Sequence, residues 1–151
     1  MLRHSIAALA AALLAAAAFR SEAQVAEKKA LAVTYLPKER VAAAFAKGVP
    51  LHETADYKIH ASRREGAGMA EVHLRDTDII YVLSGSATFV TGGGVVDAKT
   101  TAQDEMRGKE IAGGETREIV PGDIVVVPAG VPHWFKRVSA PMTYFVVKAT
   151  R

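Results

Sequence analysis

"GDIVVVPAGVPH", residues 122–133, is the stretch that decides the fold, because it joins an apolar run to a rigid corner and then to a histidine. Ile124–Val127 is an unbroken run of β-branched residues, which favours a strand. The next five residues contain a glycine between two prolines, a composition typical of a tight turn. The stretch therefore predicts a strand, a fixed corner, and a second strand that begins by presenting His133.

Seven more short β-type runs occur in the sequence, separated by turn signals that contain glycine, proline and serine. Many short strands with this punctuation are typical of an all-β sandwich or barrel. The eight predicted strands are residues 57–64, 69–74, 78–83, 87–91, 118–120, 124–127, 134–138 and 142–148.

One short helix is predicted over residues 37–47, with Pro37 at its first position and Gly48 as its stop. Residues 97–115 are polar, contain glycines and are poor in β-branched residues, so we expect a long loop on the barrel. Such a loop is either a surface insertion without a role or a lid over the barrel mouth.

The first 23 of the 151 residues have the pattern of a signal peptide: a short positive start, an alanine-leucine run and small residues ending at Ala23. The apolar run, residues 6–19, is too short to span a bilayer as a helix, so no stable membrane anchor is expected. We therefore predict a periplasmic or secreted protein cleaved after Ala23. Residues 24–56 would form an N-terminal segment with the helix, and residues 57–151 a single barrel domain.

Composition excludes several classes of site and partner. The chain has no cysteine, which rules out disulfides and thiolate metal sites, so any metal would be held by His, Asp or Glu. The formal charge of +3 falls to +2 without the predicted signal peptide, which contains two arginines and one glutamate. No stripe of Lys and Arg interleaved with aromatic residues is present, so no nucleic-acid partner is expected.

Four residues with metal-ligand side chains are predicted to converge. Glu71 and His73 are two apart on one predicted strand, so their side chains leave the same face. Asp78 opens the strand after the next turn and lies near them across the hairpin, and the corner at residues 128–132 delivers His133. The sequence thus predicts a metal-capable cavity that contains Glu71, His73, Asp78 and His133.

These residues resemble the two sequence motifs of the cupin superfamily. The second motif fits as Gly122, five residues, Pro128, one residue, Gly130, two residues and His133; its final asparagine is Arg137 here. The first fits in the order Glu71, His73, Asp78 and Gly85, with glutamate in place of the first histidine and aspartate in place of glutamate. Its leading glycine, Gly66, is off register by one residue.

The resemblance implies a small single-domain cupin, a double-stranded β-helix or jelly roll that holds one divalent metal ion. Two carboxylates balance the charge of such an ion, and their oxygen ligands favour Fe, Mn or Zn over copper. Either all four residues bind, or His73, Asp78 and His133 bind and Glu71 acts as a catalytic general base. The implied function is a metal-dependent isomerase, decarboxylase, lyase or oxygenase acting on a small organic acid or sugar-like molecule. The alternative is a non-catalytic barrel that binds or senses a small molecule.

Other roles for these residues stay open at this stage. Instead of binding metal, Glu71 and Asp78 could form buried ion pairs with nearby arginines, namely Arg75, Arg63 or Arg137. Strand alternation places Phe135 and Arg137 on the same side as His133 and Trp134 on the other. Candidate substrate-contacting residues are therefore Arg63, Phe135 and Arg137, since a guanidinium suits a carboxylate. His60 is either a cavity residue or an ordinary strand histidine.

The run "DIIYVL", residues 78–83, is apolar on both faces of a predicted strand, which requires cover on both sides. If Asp78 faces the cavity, then Ile79, Tyr81 and Leu83 point outward and form an apolar surface that a soluble monomer rarely leaves exposed. Either the N-terminal helix segment or a second subunit must cover it. We expect a homodimer that associates through this face.

Overall fold

The strand-forming runs of the sequence do form strands in the computed structural model, which describes residues 32–151. The predicted signal peptide lies outside the described residues. The strands are β1 Pro50–Glu53, β2 Tyr57–Arg64, β3 Ala70–His73, β4 Asp76–Ser84, β5 Ala87–Thr91, β6 Gly94–Val96, β7 Lys99–Ala102, β8 Glu105–Gly108, β9 Glu110–Ala112, β10 Glu115–Ile119, β11 Ile124–Val127, β12 His133–Val138 and β13 Met142–Thr150. All of them belong to one compact unit, Tyr35–Arg151.

The predicted helix is present as α1, Lys38–Lys47, one residue shorter than expected. Pro37 is the N-cap residue and not the first helical residue, because its ψ of 153° is extended. Gly48 ends the helix in the left-handed region at φ 68°, as its conformational freedom predicts. Within residues 32–151, no helix has the length and apolar character needed to cross a membrane.

Two large antiparallel sheets and one small sheet make up the all-β fold. The five-stranded sheet has the order β1-β2-β13-β4-β11, the six-stranded sheet has the order β10-β5-β12-β3-β8-β7, and β6 pairs with β9. The main apolar core lies between the large sheets, with side chains such as Phe89, Ile119 and Met142 at most 2% exposed. The predicted all-β jelly-roll barrel with one N-terminal helix is confirmed.

The expectation of a long loop over residues 97–115 is wrong. This segment folds into β7, β8 and β9 and leads into β10, and β8 pairs with β3 through the register Glu71↔Arg107 and His73↔Glu105. The strands are three or four residues long and mostly polar, and β7 is exposed at all four positions. They are held as strands by their ladder partners, which outweigh weak intrinsic β-propensity. A further short strand, β1, precedes the first predicted one.

The outward face of β4 is apolar, as predicted. Asp78, Ile80 and Val82 are buried, whereas Ile79, Tyr81 and Leu83 are each about 40% exposed. The helix does not pack on this part of the sheet; its Phe45 contacts Phe145 on β13. The neighbouring edge strand β11 extends the exposed apolar face with Ile124 and Val126, which pair with Tyr81 and Ile79.

Candidate metal site

A polar cavity of about 360 Å³ opens between the two large sheets. Its wall follows the alternation of the strands, because six of them contribute every second residue. The lining residues are His60, Ser62 and Arg64 on β2; Glu71 and His73 on β3; Asp78 and Ile80 on β4; Glu105 and Arg107 on β8; His133 and Phe135 on β12; and Tyr144, Val146 and Lys148 on β13. Strand pairing thus brings the four predicted ligand residues into one cavity.

The corner after β11 places the two histidines next to each other. Gly130, in the left-handed region at φ 83°, donates its N–H to the carbonyl oxygen of His73 at 2.8 Å. Val131 closes the turn by donating to the carbonyl oxygen of Pro128 at 3.0 Å. The chain then enters β12 with His133 opposite Glu71, and the two imidazole rings lie 5.2 Å apart. The rigid corner therefore fixes the second histidine against the strand that carries the first.

Glu71, His73 and His133 form a group whose ligand atoms all lie within 4.8 Å of one another. Glu71 Oε2 is 3.6 Å from His73 Nε2 and 4.0 Å from His133 Nε2. Two imidazole nitrogens and one carboxylate oxygen are ligands that suit Fe, Mn or Zn, and such a set leaves coordination positions open. The donor set therefore fits a divalent metal ion.

Asp78 lies beside this group but is engaged by a lysine. Its Oδ2 is 3.5 Å from His73 Nε2 and 3.8 Å from His133 Nε2. Both of its oxygens also accept hydrogen bonds from Lys148 Nζ at 2.8 Å. Glu71 and the two histidines form one ligand group, and Asp78 lies at similar distances from both imidazoles. Lys148, on the strand paired with β4, occupies both oxygens of this aspartate.

The other ring nitrogen of each histidine faces an oxygen acceptor. His133 Nδ1 lies 3.5 Å from the carbonyl oxygen of Val131, and His73 Nδ1 lies 3.9 Å from Glu105 Oε2. The Val131 acceptor favours a proton on Nδ1 of His133 and leaves Nε2 of that ring for the metal. Burial lowers the pKa of both imidazoles, and for His73 the positive charge of Lys148 adds to the effect. A lowered pKa favours the neutral ring, which is the form that binds metal.

Two arginines lie on the far side of Glu71. Its Oε1 is 3.6 Å from Arg64 Nη2 and 3.8 Å from Arg107 Nη1, beyond hydrogen-bond distance in both cases. Arg107 is bound to Glu105, and although burial alone would raise the pKa of that carboxyl group, the hydrogen bond and charge of Arg107 lower it. Glu71 therefore has one oxygen toward the histidines and the other toward two guanidinium groups.

The predicted ion-pair alternative is present in part, but with other partners. Asp78 pairs with Lys148, and Glu71 lies near Arg64 and Arg107, whereas the sequence suggested Arg75, Arg63 or Arg137. Arg75 donates to the carbonyl oxygen of Arg151, on the surface.

The three candidate substrate-contacting residues are separated by the structure. Phe135 lines the cavity, but Arg63 is exposed and pairs with Glu65, because the inward residues of β2 are Ser62 and Arg64. Arg137 is also exposed, because the register of β12 against β5 shifts between Phe135 and Arg137. A bulge of this kind reverses the alternation on which the prediction for Arg137 depended.

Sequence reasoning missed four charged residues of the cavity wall: Arg64, Glu105, Arg107 and Lys148. Arg64 and Lys148 could have been found by extending the alternation of β2 from His60 and of β13 from Tyr144. Glu105 and Arg107 belong to the segment that was expected to be a loop, so no strand parity was assigned to them. His60, left open by the sequence, lines the cavity and lies 2.9 Å from Glu53 Oε1.

Comparisons with known proteins are consistent with this architecture. A protein-family model described as Cupin matches residues 39–150. The search of curated proteins gave no match.

Solved structures with similar folds include TT1209 from Thermus thermophilus, at 21% identity and a TM-score of 0.54, covering 79% of this chain and 99% of that one. BH2720 from Bacillus halodurans is 12% identical with a TM-score of 0.55, covering 82% and 85%. NMB1881 from Neisseria meningitidis is 16% identical with a TM-score of 0.51, covering 78% and 100%. At these identities the likeness concerns the fold.

Proposed function

Because this chain belongs to the cupin family, we propose that it is a metal-dependent enzyme that acts on a small organic acid or sugar-like molecule. The observation that carries the proposal is the convergence of Glu71, His73 and His133 in one cavity with their ligand atoms within 4.8 Å. A bound divalent ion would act as a Lewis acid toward an oxygen of the substrate. Isomerisation, decarboxylation, elimination and oxygenation are the reaction classes that the family suggests.

The residues of the chain would hold and surround the substrate. The two histidines and Glu71 bind the metal, and Asp78 stays with Lys148 at the edge of the site. Phe135 and Ile80 provide apolar wall, while Ser62 and Tyr144 provide hydroxyl groups. A cavity near the lower end of the usual range for ligand sites favours a small substrate.

A non-catalytic barrel that binds or senses a small molecule is the second candidate. It is favoured by the ion pairs of the cavity, which leave three carboxylates and three cationic side chains in balance without a metal. A fold of this family does not decide between the two, since function depends on the site. Turnover of small organic acids by the metal-loaded protein would support the enzyme, and tight binding without turnover would support the second candidate.

Elemental analysis of protein purified without added metal tests the metal site directly. Wild-type protein should carry close to one equivalent of Fe, Mn or Zn, and His133→Ala should lose most of it. Arg137→Ala is a matched control on the same strand, since Arg137 lies outside the cavity. Wild-type protein below about a tenth of an equivalent, with no rise in melting temperature on adding metal, would contradict the proposal.

We also propose an exported homodimer, from the signal-peptide pattern of residues 1–23 and the apolar outer face of β4 and β11. The partner on that face would be a second copy of the chain. A small-molecule ligand is the other expected partner, and neither a nucleic acid nor a stable membrane anchor is expected.

A further inference from the structure

The charges of the cavity predict the charge of its ligand. Its wall has three carboxylates, Glu71, Asp78 and Glu105, and three cationic groups, Arg64, Arg107 and Lys148. Imidazoles are neutral when they bind a metal, so a divalent ion would leave the cavity with an excess of two positive charges. A buried excess charge is costly unless a counter-charge accompanies it. A doubly negative ligand would restore the balance.

Arg64 is the cationic group that is held in place yet has donors to spare. Its Nε donates to Tyr144 Oη at 2.9 Å, and its guanidinium carbon lies 4.1 Å from the centre of the Phe135 ring. Burial raises the pKa of the Tyr144 phenol, which therefore stays protonated as a neutral partner. Within residues 32–151, the bond to Tyr144 is the single hydrogen bond of the Arg64 side chain. Its Nη2 faces Glu71 Oε1 at 3.6 Å, longer than a hydrogen bond, so the terminal nitrogens keep N–H donors for a ligand.

The other two cations already have close partners. Lys148 donates to both oxygens of Asp78 at 2.8 Å, and Arg107 is bound to Glu105 with its side chain 40% exposed. The Arg64 side chain is 20% exposed and approaches the Glu71 carboxylate no closer than 3.6 Å. A planar guanidinium that is fixed through Nε presents its outer edge to a carboxylate.

Gly68 makes room for this arrangement. A Cβ built at this position would lie 2.5 Å from Arg64 Nη1, closer than real Cβ contacts. The backbone there is fixed by two hydrogen bonds. Trp134 Nε1 donates to the Gly68 carbonyl oxygen at 2.8 Å, and the Gly68 N–H donates to the Phe135 carbonyl oxygen at 3.1 Å. A side chain at residue 68 would therefore displace the guanidinium and leave the strands in place.

Arg64 lies close enough to the metal group for one short ligand to contact both. One oxygen of Glu71 lies 3.6 Å from Arg64 Nη2, and its other oxygen lies 3.6 Å from His73 Nε2. The two binding groups are thus on opposite sides of a single carboxylate. Resting on the proposed function, we propose that the metal-loaded cavity binds a short dicarboxylate, with one carboxylate at the metal group and the other on Arg64.

Calorimetric titration of the zinc-loaded protein tests this assignment, with malonate, acetate and inorganic phosphate as probes. Malonate should bind at least about tenfold more tightly than acetate or phosphate, because it alone places a carboxylate on each group. Arg64→Gln should bring malonate binding close to that of acetate. Arg63→Gln, a change at the next residue of the same strand but outside the cavity, should leave malonate binding unchanged.

Gly68→Ala is an independent test that changes no residue of the cavity wall. It should weaken malonate binding about as much as Arg64→Gln does, while zinc content measured on the same samples stays at the wild-type level. The dicarboxylate assignment would be overturned, and the metal site left standing, if malonate bound no more tightly than acetate or phosphate. The same holds if the Arg64→Gln or the Gly68→Ala protein bound malonate like wild type. A wild-type protein that takes up no zinc would overturn the metal site as well.

Discussion

Replacing Lys148 with methionine should lower the stability of the metal-free protein and raise its affinity for metal. The Asp78 side chain is 6% exposed, and Lys148 Nζ supplies a hydrogen bond to each of its oxygens. Removing one partner of a buried ion pair leaves an uncompensated charge and costs about 3–5 kcal/mol. For a folded unit of this size, the lower figure corresponds to a fall in melting temperature of about 10 °C.

The same substitution frees a fourth metal ligand. Asp78 Oδ2 lies 3.5 Å and 3.8 Å from the Nε2 atoms of His73 and His133, so it can bind the metal once the lysine no longer holds it. Loss of the ammonium also removes a positive charge that repels the ion. We expect Lys148→Met to bind zinc at least about tenfold more tightly than wild type, a gain of about 1.4 kcal/mol.

Thermal unfolding with and without zinc, together with competition against a chelator, measures both effects. The control is Lys58→Met, because Lys58 pairs with Asp76 at 2.7 Å on the same sheet but lies outside the cavity and is 32% exposed. Its loss should leave zinc affinity unchanged. The double variant Asp78→Asn/Lys148→Met should show no gain in zinc affinity. A folded Lys148→Met protein that binds zinc like wild type would refute the reasoning.

Three further predictions concern Glu71, the pH dependence of stability and the outer face of β4. Glu71→Gln keeps the shape of the side chain but removes its charge. A ligand role predicts weaker metal binding, whereas a base role predicts retained metal and lost turnover. If metal content and activity are both unchanged, neither role holds. Burial lowers the pKa of His73 and His133 below 6.5. In the presence of a chelator, these two histidines therefore take up protons at a higher pH in the unfolded chain than in the folded one. The free energy of unfolding from denaturant titration should therefore be fully present above about pH 6.5 and decrease as the pH falls below it, and a flat profile between pH 7.5 and 5 would contradict the burial argument. Sedimentation of the mature protein at micromolar concentration should give a dimer mass that Tyr81→Glu reduces to a monomer mass; a wild-type monomer would exclude the dimer.

Much of the fold could be predicted from local sequence signals. β2, β5 and β11 have the predicted bounds because each run is followed at once by turn-forming residues. The Gly122–His133 spacing similarly indicated where one histidine would be placed. Side-chain alternation, together with the packing of the two sheets against each other, predicted that four residues share one cavity: Glu71, His73, Asp78 and His133.

The remainder depends on partners that are distant in the sequence. Residues 97–115 form strands through pairing with β3, with β6 and with one another, which their composition does not indicate. A bulge after Phe135 moves Arg137 outward, and a bulge has no sequence marker here. The engagement of Asp78 by Lys148 spans 70 positions and appears only when β13 is aligned with β4.

The every-second-residue wall of the cavity has a consequence for how such a protein can acquire new specificity. Each inward position is flanked in sequence by outward ones that make up the other surface of the sheet, so ligand preference and solubility are encoded at separate, interleaved sites. Ser62 and Val146 are inward but uncharged, and neither belongs to the metal group. Replacing either side chain with another uncharged one would change the shape of the cavity without altering its charge. These two positions are therefore natural starting points for redesign or for divergence by mutation.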